Sequence, residues 1–167
     1  MIQRAWRFLL FQKDSALAEW FRTRTEGASG ARKTKIIAAL NDYTFDDLGT
    51  DGTDRVDYPD YAAKVAALVS ERKVPRGILI CGTGIGMAIA ANKFPGVRAA
   101  NVESLEAARL SREHNDANIL CLGARLTPPE LAIEIVRIWL TTATSKEPRH
   151  CGRIEKIAAL ETRLQGK

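Results

Sequence analysis

The sequence predicts an α/β fold in which one doubly wound parallel sheet has helices on both faces, a Rossmann-like α/β/α sandwich. Two short runs, 77–81 and 118–122, contain no charged residue, as is typical of strands buried on both faces of a parallel sheet. A glycine follows each run directly. Segments with helical periodicity alternate with such strands along the chain, which is the order that builds parallel βαβ units.

The first part of the chain carries weaker signals. The apolar run 6–11 is predicted to be a strand, and Asp14 or Ser15 is placed to cap a helix at 15–21. The polar, glycine-containing segment that follows is expected to be a loop. The predicted elements after this helix are a loop at 22–31, a short helix at 33–40, a strand at 43–48 and a polar loop at 51–57.

From residue 59 onward the pattern is more regular. Pro59 is expected to begin a helix, because proline is favoured in the first helical turn, and Ser104 is an N-cap candidate for another. The stretch Thr127-Pro128-Pro129-Glu130 has the pattern of a capping box and precedes an apolar helix at 131–140. The other predicted elements are a helix at 87–93, a strand at 97–102, a linker at 141–148 and a last helix at about 151–163, whose apolar side comprises Ile154, Ile157, Ala158 and Leu160.

The composition is typical of a globular protein that can bury a substantial core in one domain. The 167 residues carry a net charge of +5, with 46% hydrophobic and 27% charged residues. This balance suits an acidic substrate, but no lysine or arginine block is long enough to indicate nucleic acid. No apolar stretch approaches the roughly 20 residues of a membrane helix, so no membrane partner is expected. Cys81, Cys121 and Cys151 have neither disulfide nor zinc spacing, which favours a cytoplasmic location and no metal.

The stretch 77–93 is the most informative part of the chain. A buried strand ends at Cys81, three alternating glycines turn the chain, and a helix follows. This order places backbone N–H groups at the carboxyl end of a strand, where anions and oxyanions bind. The same surroundings favour a thiolate at Cys81. A cysteine that ends an apolar strand is more often an inert core residue, and this alternative stays open.

The glycine turn matches two common phosphate-binding motifs only in part. No Gly-Lys-[Ser/Thr] follows at P-loop spacing, and Met87 stands where a dinucleotide fingerprint has its third glycine. Glu103 ends the next apolar run about 20 residues further on, in the place of a ribose-binding acid. A nicotinamide-dependent dehydrogenase that uses Gly82, Gly84 and Glu103 is therefore an alternative function.

Several polar side chains elsewhere are candidates for a site. His114 lies between a predicted helix and a buried strand, where a histidine usually only complements the helix dipole. Arg125 follows Gly123 at the carboxyl end of a strand, where doubly wound sheets bind ligands. Arg149 and Arg153 are one helical turn apart and can grip a phosphate together, although a solvated face is the commoner explanation. Together with Cys81, these groups suit proton transfer on a phosphorylated small molecule.

From Lys33 onward the sequence resembles the ribose-5-phosphate isomerase B family, which also contains the galactose-6-phosphate isomerase subunits. The resemblance covers about four fifths of the chain, in family order and near family spacing. The family uses the glycine turn as an anion hole and needs no cofactor, so none is implied here. The matching stretches are 56–62, 77–86, 91–93, 110–118, 123–125 and Arg149-His150.

The resemblance implies a role for each candidate residue. Cys81 is the expected base that moves a proton between C1 and C2 of the open-chain sugar. Thr83 is expected to assist proton movement on the sugar oxygens, and His114 to promote ring opening. Backbone amides of the glycine turn are expected to hold the enediolate. The implied substrate-binding residues are Tyr58, Gly82, Gly84, Ile85, Gly86, Asn115, Arg125, Arg149 and Arg153.

The resemblance also implies a reaction and an assembly. The expected reaction is aldose–ketose isomerisation of a phosphorylated sugar, with ribose 5-phosphate to ribulose 5-phosphate preferred. Galactose 6-phosphate and allose 6-phosphate are alternative substrates, and a non-catalytic sugar-phosphate-binding relic is an alternative function. Family members are homodimers or larger with interfacial sites. We therefore expect a homodimer or homotetramer with the C-terminal helix 151–164 at the interface.

The chain departs from the family pattern in an atypical N-terminal segment, residues 1–32. Family members have a Ser-Asp-His-Ala-Gly-like turn after the first strand, whereas no Asp-His pair occurs here before residue 113. With 6–11 as the first strand, Asp14 is the candidate for that aspartate; an alternative alignment puts 25–27 in the turn. We expect a single sugar-phosphate isomerase domain, 1–167, that folds but isomerises poorly.

Overall fold

The computed structural model describes residues 7–12, 43–48 and 57–165, and within these ranges the chain forms five strands and five helices. The strands are β1 (Arg7–Gln12), β2 (Thr44–Asp47), β3 (Gly77–Cys81), β4 (Ala99–Asn101) and β5 (Ile119–Gly123). The helices are α1 (Tyr58–Ser70), α2 (Ile85–Ala91), α3 (Leu105–Asn115), α4 (Pro129–Thr141) and α5 (Pro148–Gln165).

The described strands pair in parallel in the order β2-β1-β3-β5-β4. β1 lies between β2 and β3, with Leu10 aligned to Ile78. The strand predicted at 6–11 is therefore confirmed, one residue further along the chain. β3 and β5 are aligned from Gly77 and Ile119 to Cys81 and Gly123. Parallel strands with intervening helices confirm the predicted doubly wound α/β fold.

Every residue of β3 and β5 is buried, and their side chains alternate between two core layers. Ile78 and Ile80 pack on one face with residues of α3 and α4, including the fully buried Trp139. Leu79 and Cys81 pack on the other face with residues of α1 and α2. Cys81 therefore belongs to the α1/α2 layer and lies at the carboxyl edge of the sheet.

Several predicted boundaries differ from the structure by one to three residues. The helix predicted at 87–93 spans Ile85–Ala91, because the chain already turns into the helix at Gly84. The strand predicted at 97–102 is limited to Ala99–Asn101, the residues that pair with β5. The last helix begins at Pro148 rather than near 151, which agrees with the preference for proline in a first helical turn.

The capping box predicted at Thr127 is wrong. Pro128 is the N-cap of α4, and no side chain caps this helix. The backbone N–H of Thr127 instead donates to the carbonyl of Gly123 at 2.8 Å, in a turn that buries the threonine side chain. Ser104 caps α3 as predicted, because its hydroxyl accepts from the backbone N–H of Ala107 at 3.2 Å.

The apolar side predicted for the last helix is largely exposed. Ile157 is 41% and Leu160 55% exposed, Ala158 is also exposed, and only Ile154 is partly buried. None of the described helices is both long and apolar enough to cross a membrane.

Several predictions lie outside the described residues. They are the cap at Asp14 or Ser15, the helices at 15–21 and 33–40, the loop at 22–31, the alternative turn at 25–27 and all but the last residue of the loop at 51–57. The single domain over residues 1–167 stays a prediction.

Candidate active site

Cys81 ends β3 and is 7% exposed. The backbone N–H of Gly84 donates a hydrogen bond to its Sγ atom at 3.2 Å. Gly84 has φ +77°, and a Cβ atom placed there would lie 2.0 Å from Oδ1 of Asn101. Only glycine therefore fits this position, because a side chain would clash with Asn101 and would be strained at this φ. The sulfur of Cys81 therefore lies within hydrogen-bond distance of a backbone donor in the glycine turn.

Backbone hydrogen bonds connect the glycine turn to the residues that follow β5. The backbone N–H of Ala124 donates to the carbonyl of Cys81 at 2.9 Å, and that of Arg125 donates to Gly82 at 3.0 Å. A Cβ atom on Gly123 would lie 2.6 Å from the carbonyl oxygen of Thr83, so the two segments pack at backbone distance. The turn after β3 is thereby held by the neighbouring strand.

Arg125 and Tyr58 flank the same turn. The guanidinium of Arg125 lies 3.3 Å from where a Cβ of Gly82 would be, so a cation packs directly on the turn. The ring of Tyr58, which is 40% exposed, would lie 2.6 Å from a Cβ of Gly86. Backbone donors beside a guanidinium form an anion-binding surface. We refer to this group as the turn site; it comprises Tyr58, Cys81, Gly82, Thr83, Gly84, Ile85, Gly86 and Arg125.

Thr83 and Ile85 occupy the outer part of the turn. The N–H of Ile85 donates to Oγ1 of Thr83 at 3.4 Å, and Ile85 is 50% exposed. The structure therefore places the hydroxyl of Thr83 in the same turn as Cys81. This hydroxyl is the group predicted to move protons on a bound oxygen.

Cys121 offers a contrast with Cys81. It is completely buried on the α1/α2 side of β5, beside Leu79 of β3. Burial, and to a smaller extent the neighbouring Cys81, raises the pKa of the Cys121 thiol. Cys121 therefore remains a neutral core thiol.

A second group of predicted residues surrounds the end of α3 and the start of α5. The imidazole rings of His114 and His150 are stacked, with centroids 4.1 Å apart and planes at 8°. His114 is partly exposed, whereas His150 is only 4% exposed. We refer to this group as the histidine cluster; it comprises His114, Asn115, Arg149, His150 and Arg153.

The stacked pair lies among charged neighbours. Glu113 lies 4.0 Å from Nε2 of His114, and Glu147 lies 3.7 Å from Nε2 of His150. Burial lowers the pKa of His150, and the neighbouring imidazole of His114 and guanidinium of Arg149 lower it further. His150 therefore favours its neutral form beside His114.

The arginines of the histidine cluster are exposed. Arg149 donates from Nε to Glu147 at 2.7 Å, and Arg153 lies one turn further along α5. Nδ1 of His150 is buried without a hydrogen-bond partner among the described residues. His150 has no role predicted from the sequence, although the Arg149-His150 match to the resembled family includes it.

The turn site and the histidine cluster lie at opposite ends of the parallel strands. The turn site is at their carboxyl ends, and the histidine cluster is near their amino ends. Cys81 and Gly123 end their strands, whereas α3 returns the chain to the beginning of β5. Three residues after Asn115, the carbonyl of Asn118 accepts a hydrogen bond from the N–H of Gly77, the first residue of β3. The five residues of β5 span about 16 Å between the two edges. One chain therefore does not bring His114 to Cys81.

Among the described residues, no group of three or more histidine, cysteine, aspartate or glutamate side chains is arranged to hold a metal ion.

These features define the class of the protein. It is a doubly wound α/β protein whose carboxyl sheet edge holds a thiol, backbone donors and a guanidinium around one glycine turn.

Comparisons with known proteins identify the family. A model of the ribose/galactose isomerase family matches residues 24–157. Ribose-5-phosphate isomerase B of Escherichia coli is 50% identical over 133 residues, which cover 78% of this chain and 89% of the relative. The D-erythrulose-4-phosphate isomerase of Pectobacterium atrosepticum is 41% identical over 122 residues, 73% of this chain and 77% of the relative.

A solved structure agrees with this result over nearly the whole chain. The type B ribose 5-phosphate isomerase of Trypanosoma cruzi superposes with a TM-score of 0.83 at 39% identity, covering 95% of this chain and 98% of that protein. The chain belongs to the ribose/galactose isomerase family. It is a sugar phosphate isomerase, an intramolecular oxidoreductase.

Proposed function

We propose that the protein interconverts ribose 5-phosphate and ribulose 5-phosphate through an enediolate, with Cys81 as the base. The hydrogen bond from the Gly84 N–H to the Cys81 sulfur is the observation that carries this proposal. The names of the Escherichia coli and Trypanosoma cruzi relatives support the choice of ribose 5-phosphate.

The chemistry required by the reaction agrees with the turn site. A C–H bond beside a carbonyl is a weak acid, so the negative oxygen of the enediolate must be stabilised as it forms. The thiolate is the reactive form of a cysteine, and the Gly84 N–H beside the Cys81 sulfur is placed to donate to it. In this proposal Cys81 moves the proton between C2 and C1, Thr83 moves protons on the oxygens, and turn amides hold the enediolate.

The histidine cluster supplies the remaining roles in the proposal. His114 promotes ring opening, Asn115 binds sugar hydroxyls, and Arg149 and Arg153 bind the phosphate with Arg125. Phosphate binding away from the reacting carbons orients the sugar, and this remote binding energy lowers the barrier.

The distance between the two groups supports an active site that is shared between two copies of the chain. Because His114 and Cys81 lie at opposite sheet edges, we infer that each active site combines the turn site of one chain with the histidine cluster of another. A homodimer, or a homotetramer built from such dimers, then has interfacial sites in closed symmetry. The exposed Ile157 and Leu160 of α5 offer apolar surface for this association.

The length of the sugar is a separate question. The Pectobacterium relative bears the name of a four-carbon sugar phosphate isomerase, which favours a tetrose 4-phosphate as a second candidate substrate. Galactose 6-phosphate and allose 6-phosphate remain alternatives from the sequence.

The direct test is formation of ribulose from ribose 5-phosphate by the full chain, with a chelator present to exclude contaminating metal-dependent activity. Parallel reactions contain galactose 6-phosphate, allose 6-phosphate and erythrose 4-phosphate at equal concentration. The proposal predicts the highest kcat/KM for ribose 5-phosphate. A higher value for another sugar would change the assigned substrate. Sugar-phosphate binding without turnover would instead identify a relic whose N-terminal turn no longer supports catalysis.

A further inference from the structure

Asp116 lies directly after α3, next to His114 and Asn115, and its carboxylate joins three separate segments of the chain. Its Oδ1 atom accepts from Nη1 of Arg112 in α3 and from Oγ1 of Thr144, each at 2.8 Å. Its Oδ2 atom accepts from Nη2 of Arg98 at 2.8 Å. We refer to these four residues as the Asp116 clasp.

The backbone at Asp116 is held as tightly as its side chain. Asp116 has φ +47°, a left-handed conformation that ends α3, and its N–H donates to the carbonyl of Arg112 at 3.0 Å. Nε of Arg98 donates to the carbonyls of Asn115 and Asp116 at 3.1 and 3.0 Å. The last turn of α3, which carries His114, is therefore fixed from both the main chain and the side chain.

The clasp also fastens the linker that leads into α5. Thr144 binds Asp116, and the N–H of the next residue, Ser145, donates to the carbonyl of Glu113 at 2.9 Å. A few residues later the same segment begins α5 with Arg149 and His150. The clasp thus holds the beginning of α5 against the end of α3, where the two histidine rings stack.

The clasp is anchored in the core. Arg112 is 4% exposed, its guanidinium lies over the buried Trp139 ring at 5.7 Å, and it also donates to the carbonyl of Ala117 at 2.6 Å. A buried guanidinium that loses its carboxylate partner leaves an uncompensated charge in the protein interior. Asp116 is consequently bound to a buried side chain of the core rather than to a mobile surface side chain.

We propose that Asp116 is a positioning residue for the isomerase reaction. It fixes the end of α3, which carries His114 and Asn115, through Arg112 and Arg98, and through Thr144 it fixes the start of α5 with its arginines. The inference rests on the proposed function, because that function gives the histidine cluster its part in ring opening and phosphate binding. Asp116 itself contacts no reacting atom in this proposal.

Each variant removes a different set of hydrogen bonds from the Asp116 clasp. Asp116→Ala removes every side-chain contact, whereas Asp116→Asn keeps an acceptor for Arg112 and Thr144 and tolerates the left-handed backbone. Thr144→Val removes the two hydrogen bonds by which the linker binds Asp116 and Arg112 and leaves the Asp116 carboxylate in place. Ile135→Val, a buried core change in α4, is the control for a loss of stability that leaves the clasp intact.

Two readouts are measured well below the Tm of each variant. The first is kcat and KM for ribose 5-phosphate. The second is the pair of imidazole signals in NMR spectra of the untagged chain, which has only two histidines. We expect Asp116→Ala to shift both signals and to lower kcat by about 10- to 100-fold, since misplacement by about 1 Å costs on the order of 100-fold. Asp116→Asn should recover most of this loss, and Thr144→Val should mainly raise KM.

A second set of results would overturn the inference that Asp116 is a positioning residue. If Asp116→Ala and Thr144→Val lower Tm as Ile135→Val does, while kcat, KM and both imidazole signals match those of wild type, Asp116 is only structural and the inference is overturned. If wild type does not convert ribose 5-phosphate, the proposed function fails. The imidazole signals of Asp116→Asn and Thr144→Val then still decide whether the clasp positions the histidine cluster.

Discussion

Two buried cysteines lie on the same face of neighbouring strands, and their surroundings give them different chemistry. Cys81 accepts an N–H from the glycine turn at 3.2 Å, whereas burial raises the pKa of Cys121. Both residues end or nearly end an apolar run in the sequence, so apolar character does not separate them. The glycine turn after Cys81 does separate them, because only this pattern supplies a donor directed at sulfur.

The exposed arginines of α5 give the first prediction at the scale of residues. Arg149→Ala and Arg153→Ala should each weaken substrate binding by roughly 1.5–3 kcal/mol, because each loses a charged hydrogen bond to phosphate. This corresponds to a rise in KM of about 10- to 150-fold. Steady-state kinetics with ribose 5-phosphate measure the effect. Arg163→Ala, an exposed arginine near the end of the same helix, is the control and should keep the wild-type KM. Unchanged KM in both test variants would mean that these arginines form only a solvated face.

Asp116 predicts a dependence of stability on pH. Burial alone would raise the pKa of Asp116, but the hydrogen bond from Thr144 and the charges of Arg112 and Arg98 outweigh it, so the pKa is lowered. A carboxyl whose pKa is lower in the folded state stabilises the fold above its unfolded pKa of about 3.9. This stabilisation is lost as the pH falls through the folded value.

The measurement is urea unfolding of wild type and Asp116→Asn at neutral pH and at about pH 3, where the charge is being lost. The variant should be less stable than wild type at neutral pH, and the difference should shrink in acid. A difference that is the same at both pH values would show that the charge of Asp116 does not stabilise the fold.

At the scale of elements, local sequence predicted the strands better than the ends of helices. β3 was predicted to the residue, because an apolar run stops at a glycine turn. The capping box at Thr127 failed because the turn from Gly123 buries the threonine side chain before the helix begins. Asn101 was not identified as important, because its packing against Gly84 depends on how β4 lies beside the turn.

Two glycines with similar backbone conformations give a matched test of the turn. Gly84 has φ +77° and no space for a Cβ atom, whereas Gly96 has φ +71° and nothing within 4 Å of that position. Alanine is strained at either position, by about 1 kcal/mol or more. Gly84→Ala should cost more stability than Gly96→Ala and should abolish most turnover, because the clash with Asn101 displaces the N–H from Cys81.

Urea unfolding and kcat measure both effects. Gly96→Ala should keep the wild-type kcat, since Gly96 lies away from the turn. Equal kcat values for the two variants would show that the conformation of the glycine turn does not affect catalysis.

At the scale of the whole molecule, the main result is that the predicted site residues divide between two sheet edges. Every residue of both groups except His150 was a candidate from the sequence, but spacing alone does not say at which end of the strands a helix ends. Parallel topology decides this: α3 must return to the start of β5, so His114 lies at the opposite edge from Cys81. The resemblance to a family with interfacial sites supplied the expectation of a second copy.

Mixing of inactive variants tests this arrangement. Cys81→Ser and His114→Gln should each be nearly inactive alone, because each lacks one essential group. When the two are unfolded and refolded together, mixed dimers regain one intact site, which gives about a quarter of wild-type turnover by statistical pairing. Separately refolded and then briefly mixed samples are the control. Absence of recovery in mixed dimers verified by mass spectrometry would place both groups in a site within one chain.

The most direct test of the central claim is the kcat of Cys81→Ser for ribose 5-phosphate, measured beside Cys121→Ala as a buried-thiol control. Serine keeps the shape of the side chain but has no accessible anion near neutral pH. The account predicts a fall in kcat of about 10²- to 10⁴-fold with little change in substrate binding, and near wild-type turnover for Cys121→Ala. Wild-type kcat in Cys81→Ser would contradict the assignment of Cys81 as the base.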